Sequence, residues 1–206
     1  MDVKRRLLLH CCCAPCATHV INSLHGLYDV TLFFYNPNIE PVEEYEKRKN
    51  ELYKLVKIYS LHEGSSDNET DVKNEHTKKQ EKIHLQMLEC DYENNSFTDK
   101  VNLLRNEPEG GQRCRVCFDI RLGETARRAK AEGFDIFATT LSVSPHKNTA
   151  VLNDCGITQS VEHNILYLSE DFKKNNGYMW SVELSKKYGL YRQGYCGCNV
   201  SNVFTT

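Results

Sequence analysis

The sequence predicts an α/β fold: a mainly parallel sheet flanked by helices, Rossmann-like, with a cysteine-rich site at the strand carboxyl ends. Three observations predict it. Strand and helix patterns alternate along the chain. Most strand candidates are continuous apolar runs, as strands covered on both faces are. Cysteines and polar motifs follow the strands, where open α/β sheets place their sites.

Lys4 to Cys13 reads as a buried strand, with Leu7, Leu8 and Leu9 leading into cysteines and Pro15 stopping it. Ala17 to Leu24 has helical spacing through Val20, Ile21 and Leu24, and Gly26 ends it. Asp29 to Tyr35 is a second apolar, β-rich run, followed by the turn residues Asn36, Pro37 and Asn38. Pro41 opens a helix that carries Glu43, Glu44 and Glu46 near its positive end and runs to about Ser60. Ile83 to Cys90 is a third strand and Phe97 to Leu104 a short helix. Cys114 to Glu132 is an amphipathic helix closed by Gly133. Phe134 to Leu141 is a strand, Ser142 to Asn148 a loop, Asn148 to Gly156 a short helix and Ile165 to Leu168 a further strand. Tyr178 to Tyr188 is the last helix, followed by the Tyr191 to Asn199 loop.

The 206 residues, 40% hydrophobic and 26% charged, suit one domain over 1–206 with an ordinary core. The stretch at about 63–80 is almost purely polar and reads as a surface insertion. No run approaches the ~18 apolar residues of a membrane helix, and no secretory signal pattern is present, so a cytoplasmic protein is expected. A net charge of −2 excludes a basic footprint over the whole molecule. It leaves room for a local one: Arg113, Arg115, Arg121, Arg127, Arg128 and Lys130 share one helix, and Lys4, Arg5 and Arg6 one strand. Either group could grip phosphates or be an ordinary solvated face.

Ten cysteines are the outlier. They fall in tight groups, Cys11, Cys12, Cys13 and Cys16, then Cys114 and Cys117, then Cys196 and Cys198. Disulfide scaffolds spread cysteines over separate loops, whereas groups from three distant segments suit metal ligation or redox chemistry. Cys114 and Cys117 open a helix whose N-terminus, with Arg113 and Arg115, favours thiolates. Together with Cys12, Cys13 and Cys16 they suffice for zinc or a [4Fe–4S] cluster. The one-residue spacing of Cys196 and Cys198 is too tight for a zinc knuckle and suits a strained, easily exchanged disulfide. Three readings stay open on these residues: iron–sulfur redox, structural zinc in an RNA-binding module, and thiol–disulfide exchange. Cys90 and Cys155 read as buried small hydrophobes and Cys11 as core. His10 reads as a packed histidine or a donor to a metal ligand, and His146 with Lys147 as a phosphate or ribose contact or a solvated loop. Tyr191 and Tyr195 stack on a base or pack the tail. No Walker A or GxGxxG pattern is present.

Five segments in order, HCCCAPC (His10 to Cys16), YNPNIEPVEEYEKRKNE (Tyr35 to Glu51), RCRVCFDIRL (Arg113 to Leu122), TTLSVSPHKN (Thr139 to Asn148) and YRQGYCGC (Tyr191 to Cys198), resemble the QueH-type epoxyqueuosine reductases. The resemblance covers nearly the whole chain, with the polar insertion as its main departure. It implies reduction of the epoxide of epoxyqueuosine at the wobble position of certain tRNAs, the last step of queuosine synthesis, without cobalamin. It also implies a [4Fe–4S] cluster on Cys12, Cys13, Cys114 and Cys117, and a redox-active pair in Cys196 and Cys198. An additional mononuclear metal ion is implied nearby, with Cys16 where some members have another potential ligand. The implied partners are tRNA carrying epoxyqueuosine and a low-potential electron donor, with no membrane. Asp119, Tyr195 and His146 are the candidate proton donors.

Overall fold

The computed structural model describes residues 3–61 and 83–198; the polar insertion at about 63–80 lies outside them. Five strands, β1 (Arg5–His10), β2 (Tyr28–Phe34), β3 (Gln86–Glu89), β4 (Ile136–Thr139) and β5 (Leu166–Tyr167), form one sheet in the order β3-β2-β1-β4-β5. Every pairing is parallel, with Leu7 of β1 opposite Val30 on one side and Ile136 on the other.

The helices are α1 (Ala14–Leu24), α2 (Val42–Leu61), α3 (Asn94–Val101), α4 (Gln112–Ala131), α5 (Thr149–His163) and α6 (Gly177–Lys187). Alternation along β1 and β2 divides the core. Leu7, Leu9, Leu32 and Phe34 pack with residues of α1 and α2 on one face. Leu8, Phe33 and Phe137 pack against Phe118, Leu122 and Ala126 of α4 and Leu152 of α5 on the other. The chain grows outward from β1 in one direction and then, at β4, in the other. Right-handed crossovers therefore put α1 and α2 on the opposite face from α4 and α5. The reversal leaves a notch beyond the carboxyl ends of β1 and β4, where such sheets bind ligands.

Several boundaries differ from expectation. β1 ends at His10, because Cys13 is already the N-cap of α1 and Pro15 sits in that helix's first turn. Proline there lacks only an N–H that the first turn leaves unpaired anyway, so it starts the helix and does not merely stop the strand. β4 stops at Thr139, and residues 140–143 form a 3-10 turn. The short helix before α4 spans Asn94–Val101 and continues as a 3-10 turn over Asn102–Leu104. α5 runs to His163, past the expected end at Gly156. Gly156 is a packing residue: a Cβ there would overlap the ring of Tyr167 on β5.

α6 packs on α1 through its small residues, with Gly177, Ser181 and Ser185 buried. Their four-residue spacing keeps them on one face. A Cβ at Gly177 would overlap the Phe172 carbonyl oxygen and lie 2.7 Å from His19 Nε2. Gly177→Ala is therefore expected to cost about 1–3 kcal/mol by overpacking. In urea denaturation the midpoint should fall while the slope stays as in the wild type.

Candidate active site

Two helix starts and a terminal turn deliver the cysteines. Cys13 caps α1 and Cys16 lies in its first turn. Cys114 and Cys117 lie in the first two turns of α4. The Gly110 N–H donates to Cys114 Sγ at 3.2 Å. The Sγ atoms of Cys12, Cys13 and Cys16 all lie within 4.8 Å of one another, and among the described residues they form the one group of metal-ligand type. Cys114 and Cys117 are not in that group. Instead they line a small cavity of about 20 Å³ with Cys196 and Cys198, and Cys117 and Cys198 pack on Phe97 and Val101 of α3.

A larger cleft of about 430 Å³ opens beside this cavity, lined by Cys12, Cys16, Arg121, Lys147, Tyr178 and Cys196 among others. Cys196 belongs to both walls, so it stands between the cleft of Cys12 and Cys16 and the cavity of Cys114, Cys117 and Cys198.

Arg121 of α4 is 1% exposed and underlies this space. Its Nη2 donates to Asn36 Oδ1 at 2.6 Å, and Nη1 lies 3.8 Å from Cys117 Sγ. Asn36 Nδ2 in turn donates to the Cys11 carbonyl at 2.9 Å. Burial opposes the charge on Arg121, but Cys117, Cys12 and Cys196 outweigh it and hold the guanidinium charged. Hydrogen bonds from the Cys13 and Cys16 thiols, aided by Arg121, hold the Cys12 thiol well below its ordinary range. The same sharing pushes Cys13 up to about 12 and Cys16 upward. Burial pushes Cys117 up to about 11.

His10 ends β1, fully buried, with Nδ1 2.9 Å from Thr139 Oγ1 and Nε2 3.1 Å from the Tyr35 carbonyl. Thr139 Oγ1 also accepts from the Leu141 N–H, and Arg121 Nε lies 3.4 Å from His10 Nε2. Burial and then Arg121 push this histidine down to about 3, so it is a neutral strut between β1, β2 and β4.

The terminal turn is fastened to the start of α2. Arg48, 1% exposed, pairs with Glu44 at 2.7 Å and donates to the Cys196 carbonyl at 3.0 Å and the Tyr195 carbonyl at 3.2 Å. The Glu40 N–H donates to the Gly197 carbonyl at 2.8 Å. Gly197 has φ +119°, and a Cβ there would meet Ile39 Cγ1 at 2.9 Å. Glycine between the two cysteines is thus a requirement of both backbone and space. Lys147 Nζ lies 3.0 Å from Cys196 Sγ. Burial works against its charge, and Cys196 more than offsets that, so the ammonium is held.

Other expectations sort as follows. Cys11 is core, its Sγ 3.3 Å from the Leu9 carbonyl, and Cys155 is buried between α4 and α5. Cys90 is not buried: it lines a separate cleft of about 570 Å³, 3.9 Å from Glu124. Tyr195 and Tyr191 pack the tail, donating to the Glu40 carbonyl at 2.6 Å and the Glu44 carboxylate at 3.0 Å. Asp119 faces Cys155 and is not part of the cleft wall, whereas His146 and Tyr195 are. Arg113 and Arg121 are buried, while Arg115, Arg127 and Arg128 pair with Asp154, Glu124 and Glu132. Lys4, Arg5 and Arg6 lie at the amino end of β1, opposite the cysteines. Sequence reasoning missed Arg48, Asn36 and the Lys147–Cys196 contact. The apolar spacing that locates core residues is blind to a buried arginine.

A parallel α/β sheet with converging thiols and two buried guanidinium groups at its strand carboxyl ends defines a cysteine-based metal or redox protein. The family model described as "Epoxyqueuosine reductase QueH" matches residues 7–203. A Streptococcus pyogenes serotype M1 protein named epoxyqueuosine reductase QueH is 42% identical over 197 residues, 96% of this chain and 70% of its own length. Proteins of the same name from Staphylococcus epidermidis and Acinetobacter baylyi are each 36% identical, with coverage of 95% and 96% of this chain and 75% and 80% of theirs. The chain belongs to the QueH family of epoxyqueuosine reductases. No helix among the described residues is long and apolar enough to cross a membrane.

Arg48→Met removes the ion pair and both carbonyl contacts while keeping bulk. It is expected to cost about 3 kcal/mol of stability by leaving Glu44 unpaired. Cys196 should then react with maleimide about tenfold or more faster, by local release of the tail. Peptide mass mapping should show the Cys12 rate unchanged.

Proposed function

We propose that this protein reduces the epoxide of epoxyqueuosine in tRNA to the alkene of queuosine, with its cysteines as the redox and metal centre. The observation that carries the reading is that two adjoining cavities, sharing Cys196, bring the three cysteine groups side by side in a chain of the QueH family. Loss of the epoxide oxygen as water consumes two electrons and two protons. Closing Cys196 and Cys198 into a disulfide releases two electrons and two protons, which balances the reaction. A low-potential donor must then reopen the pair.

The donor set suits a sulfur-ligated metal group. Soft thiolates select iron–sulfur clusters and zinc, and three sulfurs already lie within 4.8 Å of one another. Cys12, Cys13, Cys114 and Cys117 are the proposed ligands of a [4Fe–4S] cluster, with Cys16 available to a second, mononuclear metal ion. The cluster, when bound, supplies electrons one at a time at low potential, and the second metal supplies a Lewis acid. The protein's own residues do the rest. Arg121 offsets the negative charge of the thiolates, Lys147 steadies Cys196, and His146 stands on the cleft wall as a proton donor. The cleft volume of about 430 Å³ accommodates one nucleoside-sized group. A base must leave its stack to reach the thiols at the back of the cleft.

Two measurements test the reading. Protein purified without oxygen should carry about four irons and four sulfides per chain, and convert epoxyqueuosine-tRNA to queuosine-tRNA with dithionite. Zinc without sulfide would overturn the cluster. Cys117→Ser should lose the brown chromophore. Cys198→Ser should keep it yet lose multiple turnover; full turnover by that variant would refute the role of the pair.

A further inference from the structure

α6 seats its small face on α1, and this sets what its other faces do. Tyr178, Met179 and Trp180 follow Gly177 directly and are 41%, 45% and 44% exposed. Successive residues of a helix point about 100° apart, so these three do not form one patch, and the surroundings of each decide what it can do. Of the three, Tyr178 lines the thiol cleft. It is also the one with a cationic partner: the guanidinium of Arg192 lies 5.8 Å from its ring centroid. Arg192 Nη1 in turn reaches Ser185 Oγ at 3.2 Å, on the buried face of the same helix. Tyr178 thus stands on a helix held down by Gly177, with an arginine anchored beside it, on the wall that also carries Cys12, Cys16 and Cys196.

We infer that Tyr178, backed by Arg192, is the stacking platform for an unpaired base adjacent to the reacting nucleoside in the anticodon loop. This rests on the tRNA reductase reading above. When the reacting base turns into the cleft, its neighbour in the strand loses a stacking partner. An aromatic ring on the cleft wall replaces that lost face, and a guanidinium beside the ring adds cation–π and phosphate attraction. RNA is the partner the surroundings favour. The same wall carries Lys147 and His146, with Arg192 itself, against a single acid, Glu109. Tyr178 is a positioning residue: it holds the loop and leaves the thiol chemistry to the cysteines.

The test uses the full-length, cluster-loaded protein and an anticodon stem–loop RNA bearing epoxyqueuosine, with Kd measured by fluorescence anisotropy without oxygen. Tyr178→Ala should weaken binding about tenfold or more, the range that losing one base–aromatic stack gives. Tyr178→Phe, which keeps the ring, should bind as the wild type does. The slope of log Kd against log salt should not change in Tyr178→Ala, because no phosphate contact is removed. The decisive arm is a double cycle with loops that are abasic at one or the other flanking position. At one of them the abasic loop should bind the wild type as weakly as the intact loop binds Tyr178→Ala, and combining both changes should cost nothing more. Wild-type affinity for Tyr178→Ala, or full additivity at both flanking positions, overturns the platform. A wild type that neither binds nor reduces the intact loop overturns the tRNA reading itself, and the platform with it.

Discussion

A guanidinium buried among thiols is the constraint on which the rest of this structure depends. An unpaired charge in a protein interior is costly, so Arg121 is stable only where its partners are brought to it. Those partners come from separate parts of the chain: Asn36 from the loop after β2, Cys117 from one turn earlier in α4, and Cys12 from the turn after β1. Asn36 is itself tied to the Cys11 carbonyl. Placing Arg121 therefore aligns the carboxyl ends of β1 and β2 with α4 and fixes the geometry in which the cysteines meet. The same charge adds to the hydrogen bonds from Cys13 and Cys16 that favour the thiolate form of Cys12.

Arg48 repeats the device on the other side. With Glu44 it forms a buried pair whose remaining donors take the carbonyls of Tyr195 and Cys196. A terminal segment without regular structure has no ladder to hold it in place. Here two carbonyl contacts, the Glu40–Gly197 bond and the Tyr195 hydroxyl supply that role. The Cys196–Gly197–Cys198 turn is thus held at its backbone while its side chains face the cavity shared with Cys114 and Cys117.

Small residues decide what the large ones do. Gly177, Ser181 and Ser185 let α6 approach α1 closely, which turns Tyr178, Met179 and Trp180 outward. Gly156 lets α5 pass over Tyr167 and continue to His163. In both places glycine is needed for close approach, and its cost to a helix is offset by the packing it permits.

The alternation of apolar runs with amphipathic segments determined the parallel α/β class, because a strand covered on both faces has to be apolar throughout. Cysteine spacing singled out the candidate ligands, since the first turn of a helix brings residues three apart to one side, as in Cys13 and Cys16. The element ends were less legible: Pro15 and Gly156 are local signals with two meanings, and only the neighbours at each position choose between them. Which cysteines converge was decided by the tertiary structure, which groups Cys16 with Cys12 and Cys13 and sets Cys114 and Cys117 with the terminal pair. The fate of the charges was decided there too. On a helical pattern Arg121 and Arg127 look alike, yet one is buried at the centre and the other pairs with Glu124 at the surface. Burial and ion pairing depend on segments distant in sequence, and local spacing carries no record of them.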